Sequence, residues 1–206
     1  MALEKVELEH VPPTYQVYAA FFRNVSNAEF LHAQLLSRNS EFEYAFIDAS
    51  SVISRLHLLS AVYSAVNVLL DGALRTPNVH SEIVVTIFNT ANILQIADAY
   101  RRWGITPGKT KDLVVVKVVQ PPSGPQDETQ TQIHAQNAIW DHLRQNVQGT
   151  PAALTDAELS QVTDWPKVRK YYRLNGVPAL DRLTDEKERW KQSESLAIMG
   201  MALRGL

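Results

Sequence analysis

Apolar positions along the chain switch between a period near two and a period near 3.6, and the switches predict its elements. Residues 14–23, TYQVYAAFFR, follow Pro12-Pro13 and are rich in Tyr, Val and Phe, which predicts a first strand. Ser26 or Asn27 then caps a helix that buries Ala28, Phe30, Leu31 and Leu35. Residues 43–48, EYAFID, form a short apolar run between polar ends, a second strand. The longest helix starts at Asp48, Ser50 or Ser51 and closes on Gly72. It carries two apolar stripes, Leu56, Leu59, Tyr63, Val66 and Leu70 on one side and Ile53, Leu58, Ala61, Val62, Ala65 and Leu69 on the other. A helix on a sheet needs only one such stripe, so the second must be covered by more of the chain or by a partner.

Residues 81–105, SEIVVTIFNTANILQIADAYRRWGI, carry the densest signals. Ile83, Val84, Val85, Ile87 and Phe88 are apolar on both faces and predict a central strand covered on both sides. Asn92 with Gln95 resembles a capping box, and Ile93, Ile96, Ala97, Tyr100 and Trp103 then recur at helical spacing. Arg101 and Arg102 suit the negative end of that helix, and Gly104 is expected in the left-handed position after it. Residues 111–120 predict a fourth strand.

PPSGPQDETQ follows, with three prolines in five residues and no periodicity; it predicts a flexible connector near 120–129 inside a single domain spanning 1–206. Ile133, Ala135, Ile139, Trp140, Leu143 and Val147 give an amphipathic helix, Thr155 with Glu158 caps a short one, and Pro166 opens another through Leu174. The last helix, 185–203, turns from charged to apolar at LAIMGMAL, where Leu196, Ile198, Met199, Met201 and Leu203 imply burial on more than one side. Four strands alternating with helices would by themselves suggest a parallel, doubly wound sheet.

Composition narrows the function classes. With 206 residues, 45% of them hydrophobic, the chain can bury one sizeable core. The lack of cysteine excludes disulfides, zinc–thiolate sites and thiol nucleophiles. A net charge of −2 offers no global field for nucleic acid, so RNA contact would have to come from local basic clusters. The start, MALEKVELEH, lacks an apolar leader and no apolar run reaches membrane-span length, which predicts a soluble intracellular protein without a membrane role.

Six histidines form neither HExxH nor HxxxH, and GxSxG, P-loop and GxGxxG motifs do not occur. His57, among apolar residues, reads as a core histidine. His80-Ser81-Glu82 on a strand would point to alternate faces, leaving Ser81 without a base. The chain is therefore expected to be no enzyme, with no cofactor, no metal and no small-molecule substrate. Three basic clusters remain: Arg101 and Arg102 with Lys109 and Lys111; Arg75; and Lys167, Arg169, Lys170 and Arg173 interleaved with Trp165, Tyr171 and Tyr172. Cations beside aromatic faces are what single-stranded RNA binding requires, although a solvated helix face explains each cluster equally well.

Four motifs in order carry a family resemblance: LRTPNVHSE at 74–82, ADAYRRWGI at 97–105, VRKYYRL at 168–174 and the closing LAIMGMALRGL. Together they resemble the PRPK-binding, Cgi-type small subunit of the KEOPS (EKC) complex, from about Tyr15 to the C-terminus. The resemblance implies an α+β fold: a two-layer α–β arrangement, a mixed, mostly antiparallel four-stranded sheet, and additional helices in the C-terminal half. It implies a non-catalytic subunit of nucleus and cytoplasm that serves threonylcarbamoyl-adenosine modification of tRNA, with telomere maintenance as a further role. Such a subunit binds and tunes the complex's atypical small protein kinase and helps hold tRNA, chiefly its 3′ end. On that basis the kinase surface is expected at Leu59, Val62, Val66, Leu196, Met199 and Leu203. RNA contact is expected at Arg75, Arg101, Arg102, Lys109 and Lys111, around the ends of two neighbouring strands. The competing readings are a stand-alone single-stranded RNA-binding module and an unrecognised enzyme.

Overall fold

Two strands carry the sheet. β1 (Leu3–Val6) precedes β2 (Gln16–Arg23), and β2 pairs antiparallel with β4 (Leu113–Val119) from Gln16↔Val119 to Phe22↔Leu113. Successive side chains point to opposite faces, so Val17, Ala19, Phe21, Val114 and Val116 enter one core while Tyr18, Ala20, Phe22, Leu113 and Val115 enter another. A sheet with both faces buried needs such near-continuous apolar runs. β3 (Ala45–Asp48) pairs with the far side of β4; β1 and β5 (Thr150–Ala152) lie end to end along the outer side of β2. The computed structural model describes residues 3–87, 96–120 and 128–203, with the backbone alone over 128–134.

All of these pairings are antiparallel, which overturns the doubly wound alternative and gives the α+β class that the resemblance implied. One core lies between the sheet and the helices α2 (Arg55–Leu70) and α3 (Val79–Ile87). The other lies against α1 (Ala28–Leu36) and α5 (Glu128–Asn146). The remaining helices are α4 (Ile96–Trp103), α6 (Asp156–Ser160), α7 (Trp165–Tyr171), α8 (Pro178–Asp181) and α9 (Glu186–Ala202).

The largest departure from the sequence reading is α3. Residues 83–87 were expected as a central strand and are helical, with every residue of the helix except Ser81 buried. α3 packs against α2, α4, β3 and β4, so its apolar residues Ile83, Val84, Val85 and Ile87 face neighbours all round, and such a run loses the periodicity that separates a helix from a buried strand. Its start has a local signal, since the Asn78 side-chain carbonyl accepts from the Ser81 amide at 2.8 Å. Phe88 and the expected capping box of Asn92 and Gln95 lie outside the described residues.

Smaller corrections share the same origin in packing. α2 starts at Ser54, whose hydroxyl accepts from the His57 amide, rather than at residues 48–51, which form a 3₁₀ turn capped by Asp48. Phe30 is exposed rather than buried. Gly104 does not adopt a left-handed conformation; it bridges to Ile47, and a Cβ there would lie 2.6 Å from the Tyr100 carbonyl oxygen. Gly72 does take the left-handed position, at φ +65°, and the Thr155 hydroxyl caps α6 by accepting from the Glu158 amide.

Candidate nucleic-acid cleft and partner surface

The turn before α3 is held by a buried carboxylate. Glu82 has no exposed surface and accepts from the Arg75 guanidinium (Nε, 2.6 Å; Nη2, 2.5 Å), the amides of Arg75 and Thr76 (3.0 and 3.1 Å) and the Thr76 hydroxyl (3.0 Å). A buried charge persists only when paired and hydrogen-bonded, and Arg75 supplies that pairing here. Its guanidinium is thereby committed to the fold.

Next to this turn, α3 fills a gap in the sheet. β3 begins pairing at Ala45↔Val116, so the Val118 amide reaches past its end; His80 Nε2 accepts from it at 3.0 Å. The proton of the neutral ring must then sit on Nδ1, which is buried without a partner. Burial, with the nearby Lys117 charge adding to it, lowers the His80 pKa to about 3. Lys117 donates to the Glu43 carbonyl at 2.6 Å and lies 4.9 Å from the centre of the Tyr44 ring, and burial also pulls its pKa down. Burial raises the Tyr44 hydroxyl to about 12, and that hydroxyl bonds His142 Nδ1 at 3.0 Å.

His80, Glu43 and Tyr44 border a cleft of about 760 Å³ at the β3 edge, between the C-terminal end of α1 and the α3–α4 pair. Phe42, Tyr44 and Phe46 form one wall and Val84, Tyr100 and Ile105 the other; His80 lines it, and Arg38 and Arg101 add positive charge. Aromatic faces with flanking cations can stack a base and hold its phosphates. Of the five residues expected to meet RNA, only Arg101 lines the cleft. Arg75 is locked to Glu82; Arg101 and Arg102 both pair with Asp98, Arg102 at 3.0 Å while lying over the Tyr171 ring. Lys109 and Lys111 are exposed near the start of β4, beyond the cleft lining. Sequence reasoning missed the aromatic wall because Tyr44 and Phe46 read as strand core and Phe42 fell outside the expected elements.

Buried His57 behaves as the sequence suggested. Nδ1 accepts from the Ile53 amide at 3.2 Å, and Nε2 meets the Tyr172 hydroxyl at 2.5 Å, which donates onward to the Ile87 carbonyl at 2.6 Å. His80, Ser81 and Glu82 follow one another on a helix rather than a strand; Glu82 and His80 Nε2 are already engaged elsewhere, so neither serves Ser81 as a base. Among the described residues no group of three His, Asp or Glu side chains is placed to hold a metal ion, and no helix is long and apolar enough to cross a membrane.

A second surface lies on α2 and α9, which pack against each other. α2 buries Leu58, Ala61, Val62, Ala65 and Val66 and turns Leu56 (58% exposed), Tyr63 and Leu70 outward. α9 buries one stripe, Ser193, Ala197 and Met201, and leaves Met199 (51%) and Leu203 (66%) in the open. Val62 and Val66, expected as kinase contacts, have no accessible surface and are core residues. Leu59 and Leu196 are half-buried. The outward apolar row runs through Leu56 and Tyr63 instead.

A model of the kinase-binding protein CGI-121 family matches residues 22–205. The chain belongs to this family. Similar proteins include the EKC/KEOPS complex subunit CGI121 of Gibberella zeae, 58% identical with both chains covered in full, and its namesake of Neurospora crassa, 52% identical, also in full. The Schizosaccharomyces pombe subunit of the same name is 29% identical over 79% of this chain and 84% of its own. Exposed apolar side chains such as those of α2 and α9 suit the dehydrated centre of a protein interface.

Proposed function

We propose that the protein is a non-catalytic subunit of the EKC/KEOPS complex, acting in nucleus and cytoplasm in threonylcarbamoyl-adenosine modification of tRNA. It binds and tunes the complex's atypical small kinase through α2 and α9, and it helps hold the 3′ end of tRNA at the cleft. The observation that carries the reading is the exposed apolar row on two packed helices of a kinase-binding family member. Leu56, Tyr63, Met199 and Leu203 are costly to leave in water and are not needed by the monomer's own core. The cleft supports the RNA half, with its aromatic wall and its two arginines.

Pull-down with the cognate kinase tests the first half. Leu56→Glu combined with Met199→Glu is expected to abolish capture, and unaltered capture would remove the assigned surface. Titrating labelled tRNA with and without its 3′ tail tests the second half, since tail-independent binding would refute the cleft assignment. Robust tail-dependent binding by the isolated protein, with no kinase capture, would favour a stand-alone RNA-binding module.

A further inference from the structure

We propose that Thr106 is a phosphorylation site for a proline-directed serine/threonine kinase, and that its phosphate weakens the cleft's hold on RNA. The second half rests on the RNA reading of the cleft; the first stands without it. The sequence holds three Thr-Pro dipeptides, beginning at Thr76, Thr106 and Thr150, and no Ser-Pro. Kinases of this class take an acceptor followed by proline, which has no N–H to leave unpaired and holds the residue before it in the extended conformation of a bound substrate. Many of them also favour a cation three residues on, and only Thr106 has one, in Thr106-Pro107-Gly108-Lys109. The fold removes the other two. Thr76 is 8% exposed and its hydroxyl donates to the Glu82 carboxylate at 3.0 Å. Thr150 opens β5, paired with Arg23 in the sheet.

Thr106, itself half-buried, begins a turn between α4 and β4 whose next three residues, Pro107, Gly108 and Lys109, are exposed; Gly108 takes the left-handed position at φ +69°. The Lys109 and Thr110 amides donate to the Thr106 carbonyl at 3.2 and 3.0 Å, and the Thr106 amide donates to the Thr110 hydroxyl at 2.9 Å. Opening the turn into a kinase groove costs these local bonds and leaves α4 and β4 in place. The Thr106 hydroxyl meets the Arg101 and Gly104 carbonyls at 3.5 and 3.4 Å, the outer limit of a hydrogen bond, so little holds it back. In the transfer, Thr106 Oγ1 bonds to the γ-phosphorus of ATP as the bond to ADP breaks, and the hydroxyl proton passes to the kinase's aspartate. Thr106 and Pro107 share the cleft lining with Arg38 and Arg101. A phosphate there carries a charge of about −1.5 to −2. The Arg101 side chain is 70% exposed and its pairing with Asp98 is a surface ion pair of little worth, so it can turn to the phosphate instead. The positive charge that suits RNA phosphates is then neutralised, and the excess negative charge repels them.

The test takes the full chain, a cyclin-dependent kinase and ATP. Mass spectrometry is expected to find phosphate on Thr106, with Thr106→Val removing it and Thr106→Ser restoring it. Absence of phosphate from that residue overturns the site, and an unchanged rate of incorporation in Pro107→Ala overturns the proline-directed class. The phosphorylated protein should then bind a fluorescent single-stranded pentaribonucleotide roughly tenfold more weakly, with the slope of affinity against salt reduced by about 1. Equal affinity of the two forms refutes the effect on RNA. Kinase-treated Thr106→Val should keep the affinity of the untreated protein; weakening in that variant assigns the effect to another residue and refutes it as well. An unphosphorylated chain that binds no pentaribonucleotide sinks the RNA reading, while phosphate on Thr106 still establishes the site.

Discussion

Arg75 distinguishes a structural arginine from an RNA-binding one, and Arg75→Ala separates the two. Glu82 is fully buried and receives five hydrogen bonds, two of them from the Arg75 side chain, which is itself 30% exposed. Breaking a fully buried ion pair from one side costs about 3–5 kcal/mol, because the remaining charge is left uncompensated. The loss here is smaller: two backbone amides and the Thr76 hydroxyl still face the carboxylate, and water reaches the arginine side. The expected cost is roughly 2–3 kcal/mol, which for a chain of this size lowers Tm by about 4–12 °C. Urea titration and thermal melts measure it. RNA titration across salt concentrations on the same variant, kept well below its melting range, should show an unchanged salt slope. A variant within about 0.5 kcal/mol of wild type whose salt slope falls by about 1 would refute the reasoning and return Arg75 to the RNA surface.

Other perturbations give equally clear outcomes. Val62→Glu or Val66→Glu should unfold the chain by placing an unpaired charge in the core, whereas Leu56→Glu should leave the melting temperature within a degree or two; circular dichroism melts decide, and a stable Val66→Glu protein would contradict the burial. Burial holds His57 and His80 at pKa values of about 3 against an ordinary 6.5, so the unfolded chain binds more protons between those limits. Stability should therefore be complete above pH 6.5 and fall as pH drops toward 3, by up to about 1.4 kcal/mol per pH unit for each histidine. A urea midpoint that stays flat from pH 6.5 to 4.5 would rule this out. Gly104→Ala should cost about 1–3 kcal/mol, since its Cβ would press on the Tyr100 carbonyl at 2.6 Å, and a neutral effect on the urea midpoint would show that the α4 end can yield.

The sequence by itself determined the elements whose apolar pattern has a free side to contrast with. α1 and α2 lie along the surface, and their periodicity marks them; β4, buried on both faces, is marked instead by its β-branched run, and Gly72 and Thr155 ended and began helices by local chemistry that needs no tertiary partner. β1 and β5, at four and three residues, were too short to register and exist because β2 offers them an edge. What only the tertiary structure decided are the places where burial is complete or where groups meet across the chain. α3 is covered on every side, so helix and strand leave the same apolar trace, and packing against α2 and α4 settled it. Arg75 read as a free cation until the fold brought Glu82 beneath it. Val62 and Val66 sit on an apolar helix whose inward side depends on where the sheet lies. The cleft draws on residues 32–46, 77–84 and 97–107, and His80's unshared hydrogen exists only because β3 stops short of Val118. Periodicity records how one segment meets its surroundings, whereas a site made of several segments depends on distances that only chain folding sets.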